Sequence, residues 1–259
     1  MFTFSFREFK YSLVDSQGCE VLFEEGVLRV VRRDGIVKLE YGGEENIYSV
    51  YDERRLFYGG YWDYISCLAY LAEEVSDVLL VGLGGGTIVR QLLELYEPRI
   101  EAFEVDGRML ALAERFFGLK AHPKLAVFGG DVASYLAESS RLYDVIVLDA
   151  FVGDRMPEAM NSWGFFATCA AHLREGGVLI VNSVSDDQHR DETEALVGNV
   201  RENFSSSYTT AYSENILYAA FKTQVTASEV METLRRRVDA RLASTRDKII
   251  DTLNLCSIG

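Results

Sequence analysis

Between Asp77 and Asn182 the chain alternates short apolar runs with amphipathic segments, and this alternation constrains the fold more than any other feature. Apolar runs at 77 to 81, 100 to 105, 125 to 128, 144 to 149 and 177 to 182 predict strands. Helical spacing predicts helices at about 87 to 96, 107 to 117, 131 to 139, 162 to 173 and 187 to 203. Continuous apolar strands joined by helices make a parallel sheet covered on both faces. The predicted fold class is therefore α/β, a doubly wound, mostly parallel sheet.

The flanking segments read differently. Phe2, Phe4 and Phe6 alternate with polar neighbours, and Val21-Leu22-Phe23, Val27-Leu28-Arg29-Val30-Val31 and Ile36-Val37-Lys38-Leu39-Glu40-Tyr41 are separated by Gly26 and Asp34-Gly35. Asp-Gly between two β-branched runs is a hairpin signal, so a small antiparallel β-sheet is expected to open the chain. The expected division is a sheet domain over residues 1–58 and an α/β domain over 59–259. A helix at Tyr61 to Ala72 leads into the first parallel strand, and two strand-like runs, 208 to 212 and 216 to 221, follow the last. Thr226-Ala227-Ser228-Glu229 has the capping-box pattern that starts a final helix.

Where the first parallel strand turns into its helix the chain reads Gly82-Leu83-Gly84-Gly85-Gly86-Thr87. Glycines there let the backbone approach a ligand and turn amides toward it. A dinucleotide fingerprint requires glycine at the sixth position, which is Thr87, and no lysine follows to make a P-loop. A tight turn without a ligand is the plain alternative. The following strands end in Glu104-Val105-Asp106, in Gly129-Gly130-Asp131 and in Asp149. A carboxylate at Glu104 can accept bonds from both ribose hydroxyls, and one at Asp131 can take an adenine amino group, cap the next helix, or do both. Ligands of open α/β sheets bind outside the carboxyl ends of the strands, so loop and acids are expected to converge on one crevice.

Composition removes several classes. A net charge of −14 over 259 residues disfavours nucleic-acid and membrane-surface partners and suits a cationic small molecule. Arg235-Arg236-Arg237 falls in a helical pattern and reads as a solvated face. No apolar run reaches the roughly 18 residues of a membrane span, and the first residues lack a signal-peptide core, so a cytoplasmic location is expected. The four cysteines form no CxxC pair, which fits neither a disulfide framework nor zinc, and His122, His172 and His189 read as packing or surface residues. No metal is expected.

The run VLLVGLGGGT, followed by EVD, GGD and VIVLDAF with a proline shortly after, resembles the spermidine synthase (polyamine aminopropyltransferase) superfamily over roughly residues 20 to 222. The resemblance implies a Rossmann-like domain and a front sheet that close over decarboxylated S-adenosylmethionine and a polyamine. Class I methyltransferases, which use intact S-adenosylmethionine, share the fold. By position, Glu104 would bind ribose, Asp131 adenine, and Asp149 would anchor or deprotonate the attacking amine; Gly82, Gly84, Gly85 and Gly86 would border the cofactor. Tyr61-Trp62-Asp63 lies near the family's Tyr-Gln-Glu segment, so Tyr61 and Asp63 either contact substrate, with Tyr61 assisting Asp149, or serve as helix-start and interface residues. Family analogy also implies a homodimer, with the front sheet and last helix as contacts.

Two departures bear on the reaction. The family's loop aspartate (GGGDGG), which holds the aminopropyl amine, is Gly85 here. The loop after the fourth strand reads Asp149-Ala150-Phe151-Val152-Gly153-Asp154-Arg155-Met156-Pro157, where Asp154 would replace the family's second acid, shifted by two residues. These features match a spermidine synthase-like branch for which aminopropyl transfer is not assumed. Three functions stay open: an aminopropyltransferase, favoured by the front sheet and the Asp149 and Asp154 pair; a methyltransferase; and a catalytically altered nucleotide-binding scaffold.

Overall fold

The protein is described from a computed structural model that covers residues 13–15, 18–43, 46–153, 155–184 and 190–255. The alternation at Phe2, Phe4 and Phe6, and the residues Asp154, His189 and Cys256, lie outside these.

The chain opens with five antiparallel strands in sequential order: β1 (Leu13–Val14), β2 (Glu20–Glu25), β3 (Leu28–Arg33), β4 (Ile36–Tyr41) and β5 (Ile47–Tyr51). Asp34 and Gly35 both take positive φ, 52° and 81°, the geometry of a two-residue type I′ turn, and they set Arg33 opposite Ile36. One face of this sheet carries Phe23, Leu28, Val30, Val37 and Leu39, which pack on Met109, Leu112 and Phe117 at the second helix of the α/β region. The front sheet is thus seated on the larger unit by apolar burial, its strongest general source of adhesion.

Helix α1 (Tyr61–Leu68), finished by a tight turn at Ala69–Leu71, delivers the chain to the α/β region. There β6 (Asp77–Val81), α2 (Thr87–Tyr96), β7 (Arg99–Glu104), α3 (Gly107–Phe116), β8 (Leu125–Gly129), α4 (Val132–Glu138), β9 (Tyr143–Leu148), α5 (Trp163–His172), β10 (Leu173–Val184) and α6 (Arg190–Asn203) follow the predicted alternation. The hairpin β11 (Ser206–Tyr212) and β12 (Asn215–Phe221) returns antiparallel onto β10. Val78 and Leu80 of β6 and Val145 and Val147 of β9 face α1 and α2, while Leu79, Val81, Ile146 and Leu148 face α4, α5 and α6, so the sheet has a core on each side.

Strand order from one edge is β8-β7-β6-β9-β10-β12-β11. Order reverses at β6, which pairs in parallel with both β7 and β9. A crevice forms at such a reversal because the flanking connections leave toward opposite faces.

Two expectations need revision. β10 begins at Leu173, directly after α5, because Gly176 at φ 73° lets the strand bend before Val178 rejoins the ladder. The single final helix is two: the capping box of Thr226 and Glu229 starts α7 (Ala227–Arg237), then Val238 turns extended and Asp239 caps a new turn that leads into α8 (Ala243–Thr252) and an edge strand β13 (Asn254–Leu255). Arg235 and Arg236 are exposed in the last turn of α7, where cations suit the helix dipole, and Arg237 donates to the carbonyl of Glu73 at 2.9 Å.

Candidate active site

The glycine loop is held from beneath, and the way it is held decides what it can bind. Gly82 takes φ +97°, and a Cβ there would stand 2.1 Å from the backbone oxygen of Asp149, so only glycine lets the ends of β6 and β9 meet. The Gly82 amide donates to the Phe103 carbonyl at 2.9 Å and the Gly86 amide to the Leu83 carbonyl at 2.9 Å. Those of Leu83 and Gly84 donate to Glu104 Oε2 at 3.0 and 3.3 Å, and that of Gly85 donates to Ser49 Oγ at 2.7 Å. Every amide from Gly82 to Gly86 is therefore already engaged by protein oxygen. A phosphate cradle needs such amides free.

Thr87, whose presence departs from the dinucleotide pattern, has a distinct task. Its hydroxyl donates to the Val50 carbonyl at 2.9 Å and accepts from the Val50 amide at 3.1 Å, pinning β5 of the front sheet to the start of α2.

A cavity of about 250 Å³ lies over this loop, lined by Gly82, Gly84, Glu104, Asp131, Asp149 and Tyr61 among others. The three strand-end acids and the loop thus share one crevice. Gly85 and Gly86 do not line it: a Cβ on Gly85 would meet the Phe117 ring and Ser49 at 2.8 Å, and one on Gly86 would meet Leu119 at 3.2 Å. Both glycines serve close packing behind the loop. An aspartate at position 85 would run into Phe117 rather than reach the cavity.

Glu104 accepts the Asp106 amide on its other oxygen at 2.9 Å, so with the Leu83 and Gly84 amides three of its roughly four acceptor sites are taken and one remains. Asp131 caps α4, accepting from the amides of Ala133 and Ser134 at 3.1 Å and from the Ser134 hydroxyl at 2.8 Å. The Ser134 hydroxyl and these amides hold its carboxyl below the usual range. Arg108 is the sole cation among the described lining residues, and Asp106 grips its guanidinium through bonds of 2.6 to 3.1 Å, with Glu25 at 3.4 Å.

Asp149 closes the other end of the cavity. Its Oδ1 accepts from Asn182 Nδ2 at 2.8 Å, and its Oδ2 lies 3.5 Å from the Tyr61 hydroxyl. Burial pushes the carboxyl up to about 7, opposed by the bonds from Asn182 and Tyr61, while the Glu104 charge adds to the rise. Burial, and next the charge of Asp149, raise the Tyr61 phenol well above its ordinary value, so it stays a neutral donor. A second chamber of about 600 Å³ adjoins the first across Tyr48, Tyr61, Trp62, Phe151 and Gly153, with Asn182 in its wall. The Tyr48 hydroxyl donates to the Gly153 carbonyl and straps the loop after β9 to the front sheet.

Asp63 is elsewhere. It is 1% exposed and accepts from the amides of Tyr58 and Gly59 at 3.0 and 2.7 Å and from Gln91 Nε2 at 2.7 Å. These bonds shape the turn entering α1, so the substrate-contact expectation for Asp63 is corrected to a structural one. Asp154 lies outside the described residues. Ser49, Tyr48 and Asn182 were not anticipated. Asn182 alone leaves a trace in the sequence, an amide ending the apolar run Val178-Leu179-Ile180-Val181.

No group of three or more His, Cys, Asp or Glu side chains is arranged to hold a metal among the described residues. No helix there is long and apolar enough to cross a membrane. Cys67 and Cys169 are buried, and burial raises both thiols.

A family model described as the spermine/spermidine synthase domain matches residues 60–233. A probable polyamine aminopropyl transferase of Bifidobacterium longum is 35% identical over 133 residues, covering 50% of this chain and 29% of that protein. A polyamine aminopropyltransferase of Vibrio vulnificus is 32% identical over 127 residues, covering 48% of this chain and 42% of that protein. The matched region is thus less than half the length of these relatives. A crystal structure of a probable spermidine synthase from Corynebacterium glutamicum superposes with a TM-score of 0.66 at 17% identity, over 80% of this chain and 82% of that one, a likeness of fold.

Proposed function

The chain belongs to the spermine/spermidine synthase family, and from that membership we propose that it is an aminopropyltransferase, moving the aminopropyl group of decarboxylated S-adenosylmethionine to an amine. The charge pattern of the first cavity carries this reading. Its described lining holds Glu104, Asp106, Asp131 and Asp149 against one cation, Arg108, which Asp106 already engages. The carboxylate of an intact methionyl group would find no free counter-charge there, whereas an aminopropyl ammonium gains from the acids. The engaged amides of the glycine loop argue further for an adenosyl ligand without phosphate.

In this reading Glu104 takes a ribose hydroxyl on its one remaining acceptor site and Asp131 the adenine amino group, while Gly82 and Gly84 border the cofactor. The front sheet, with a domain boundary at residue 58, walls the cavity with Tyr48 and Ser49. The acceptor occupies the second chamber and meets the first beside Asp149 and Tyr61.

The reaction is a displacement. The amine nitrogen forms a bond to the carbon on sulfur, the carbon–sulfur bond breaks, and its electron pair leaves on sulfur as a neutral thioether. The proton lost from nitrogen passes to Asp149. Alignment and proton acceptance are what the protein supplies, and a carboxyl near 7 suits the second task at neutral pH. Tyr61 steadies Asp149 Oδ2 by donating its hydroxyl.

Incubation with each cofactor and a panel of amines, with the nucleoside product identified by mass spectrometry, tests the reading. Methylthioadenosine with an aminopropylated amine is the expected pair. S-adenosylhomocysteine with a methylated product would replace this reading by methyl transfer, and no product from either would favour a binding scaffold.

A further inference from the structure

Asn182 is 1% exposed, and both ends of its side-chain amide are bonded. Its Nδ2 donates to Asp149 Oδ1 at 2.8 Å, and its Oδ1 accepts from Asn215 Nδ2 at 3.0 Å. The register explains the meeting. β10 and β12 pair with Asn182 opposite Leu217 and Val184 opposite Asn215, so the two asparagines are diagonal neighbours on one face of the sheet.

An asparagine can present either end of its amide, and its neighbours decide which. Asn215 donates to the Asn182 oxygen while the Asn182 NH₂ faces Asp149, whose carboxylate can only accept, so the two contacts together hold the amide in one sense. Asp149 Oδ1 is thereby occupied, and Oδ2 is the oxygen left on the side of Tyr61 and the cavity. Asn215 itself lies in the wall of the second chamber.

We propose that Asn215 and Asn182 form a positioning pair that fixes Asp149 through Oδ1 and leaves Oδ2 as the single oxygen presented to the acceptor amine. The identity of that amine's reaction rests on the aminopropyl-transfer reading; the orientation of Asp149 does not. The groups that act on the Asp149 carboxyl are Asn182 from β10, Tyr61 from α1 and Glu104 from β7. Of these, Asn182 and Tyr61 favour the charged form and Glu104 opposes it. Removing or reversing the Asn182 donor therefore moves the carboxyl further up.

Asn215→Asp reverses it without altering Asp149, while its own negative charge adds to the rise, which Asn182→Leu does not. A carboxylate at 215 can only accept, so the Asn182 amide turns its NH₂ toward 215 and its oxygen toward Asp149. Asn215→Ser keeps a donor and serves as the conservative control, and Asn182→Leu removes the donor outright. The Asp149 carboxyl is titrated by carbon-detected NMR, assigned by its loss in Asp149→Asn, with no need of turnover. Thermal melts check that each variant is folded.

The expected result is a midpoint raised by about half a unit or more in Asn215→Asp and Asn182→Leu, and restored toward wild type in Asn215→Ser. The acid limb of kcat should move with it. An unmoved midpoint in a folded Asn215→Asp protein overturns the proposal, as does a rise there that Asn182→Leu (or Asn182→Ala, where the leucine variant does not fold) fails to share, since the charge of the new carboxylate would then account for it. Shifted midpoints in a protein that transfers no aminopropyl group would instead uphold the positioning pair and remove the functional reading.

Discussion

The amide of Gly85 donates to the Ser49 hydroxyl at 2.7 Å, joining the glycine loop to the front sheet across 36 positions of sequence. Ser49 in turn donates to the Tyr48 carbonyl at 2.6 Å. Ser49→Ala leaves a buried amide unpaired, which should lower unfolding stability by ~1–3 kcal/mol. Denaturant melts measure it, and an unchanged midpoint would show that water or a shifted loop replaces the bond.

Restoring the family's loop aspartate should not restore its function. In Gly85→Asp the first side-chain carbon already meets Phe117 and Ser49 at 2.8 Å. The expected outcome is a loss of ~1–3 kcal/mol from overpacking, with no gain in cofactor affinity. Tighter cofactor binding in this variant would mean that the side chain reaches the cavity after all.

Asp63 gathers three donors that an asparagine could not satisfy without facing one N–H with another. Asp63→Asn is expected to cost ~1–3 kcal/mol in stability while leaving KM for the acceptor within about twofold when assayed well below the melting temperature. A large rise in KM with unchanged stability would return Asp63 to the substrate site.

Much of the fold is legible in the sequence. The strands and helices from Asp77 to Asn203 announce themselves because their burial is periodic and local, and the crevice follows from the rule for parallel sheets. The roles of Asp63 and Ser49 were not legible. Each depends on partners that folding brings from afar: Gln91 lies 28 positions beyond Asp63, and the Gly85 amide lies 36 beyond Ser49. Gly85 illustrates the same limit. Its place in a loop motif reads as ligand contact, yet Phe117 fills the space its side chain would need. The break between α7 and α8 leaves no mark in the sequence, since no Pro or Gly stands at Val238 and Asp239.

Asp149 should show a cost of function in stability. Its folded carboxyl is raised to about 7, chiefly by burial. A raised acid contributes stability that is full below the unfolded carboxylate range and is lost as pH climbs through the folded value. Asp149→Asn escapes that loss, so it should exceed wild type in stability at pH 8 by ~1 kcal/mol or more, with the gap closing toward pH 4. Melting temperatures of the two proteins across this range check it. Equal curves would mean that Asp149 ionises as freely as an exposed carboxylate.

The same carboxyl sets the expected activity profile. Wild-type kcat/KM should fall as pH drops below about 7, because protonated Asp149 cannot accept the amine's proton. Asp149→Asn should lose turnover by ~100-fold or more while binding cofactor within about threefold. Surviving turnover would remove Asp149 from the reaction.

The most direct test of the account is titration calorimetry of the wild-type protein with decarboxylated and intact S-adenosylmethionine under one buffer. A cavity whose one described lining cation is already engaged by Asp106 predicts that the decarboxylated form binds at least ~10-fold tighter, about 1.4 kcal/mol. Equal or tighter binding of the intact form would contradict it.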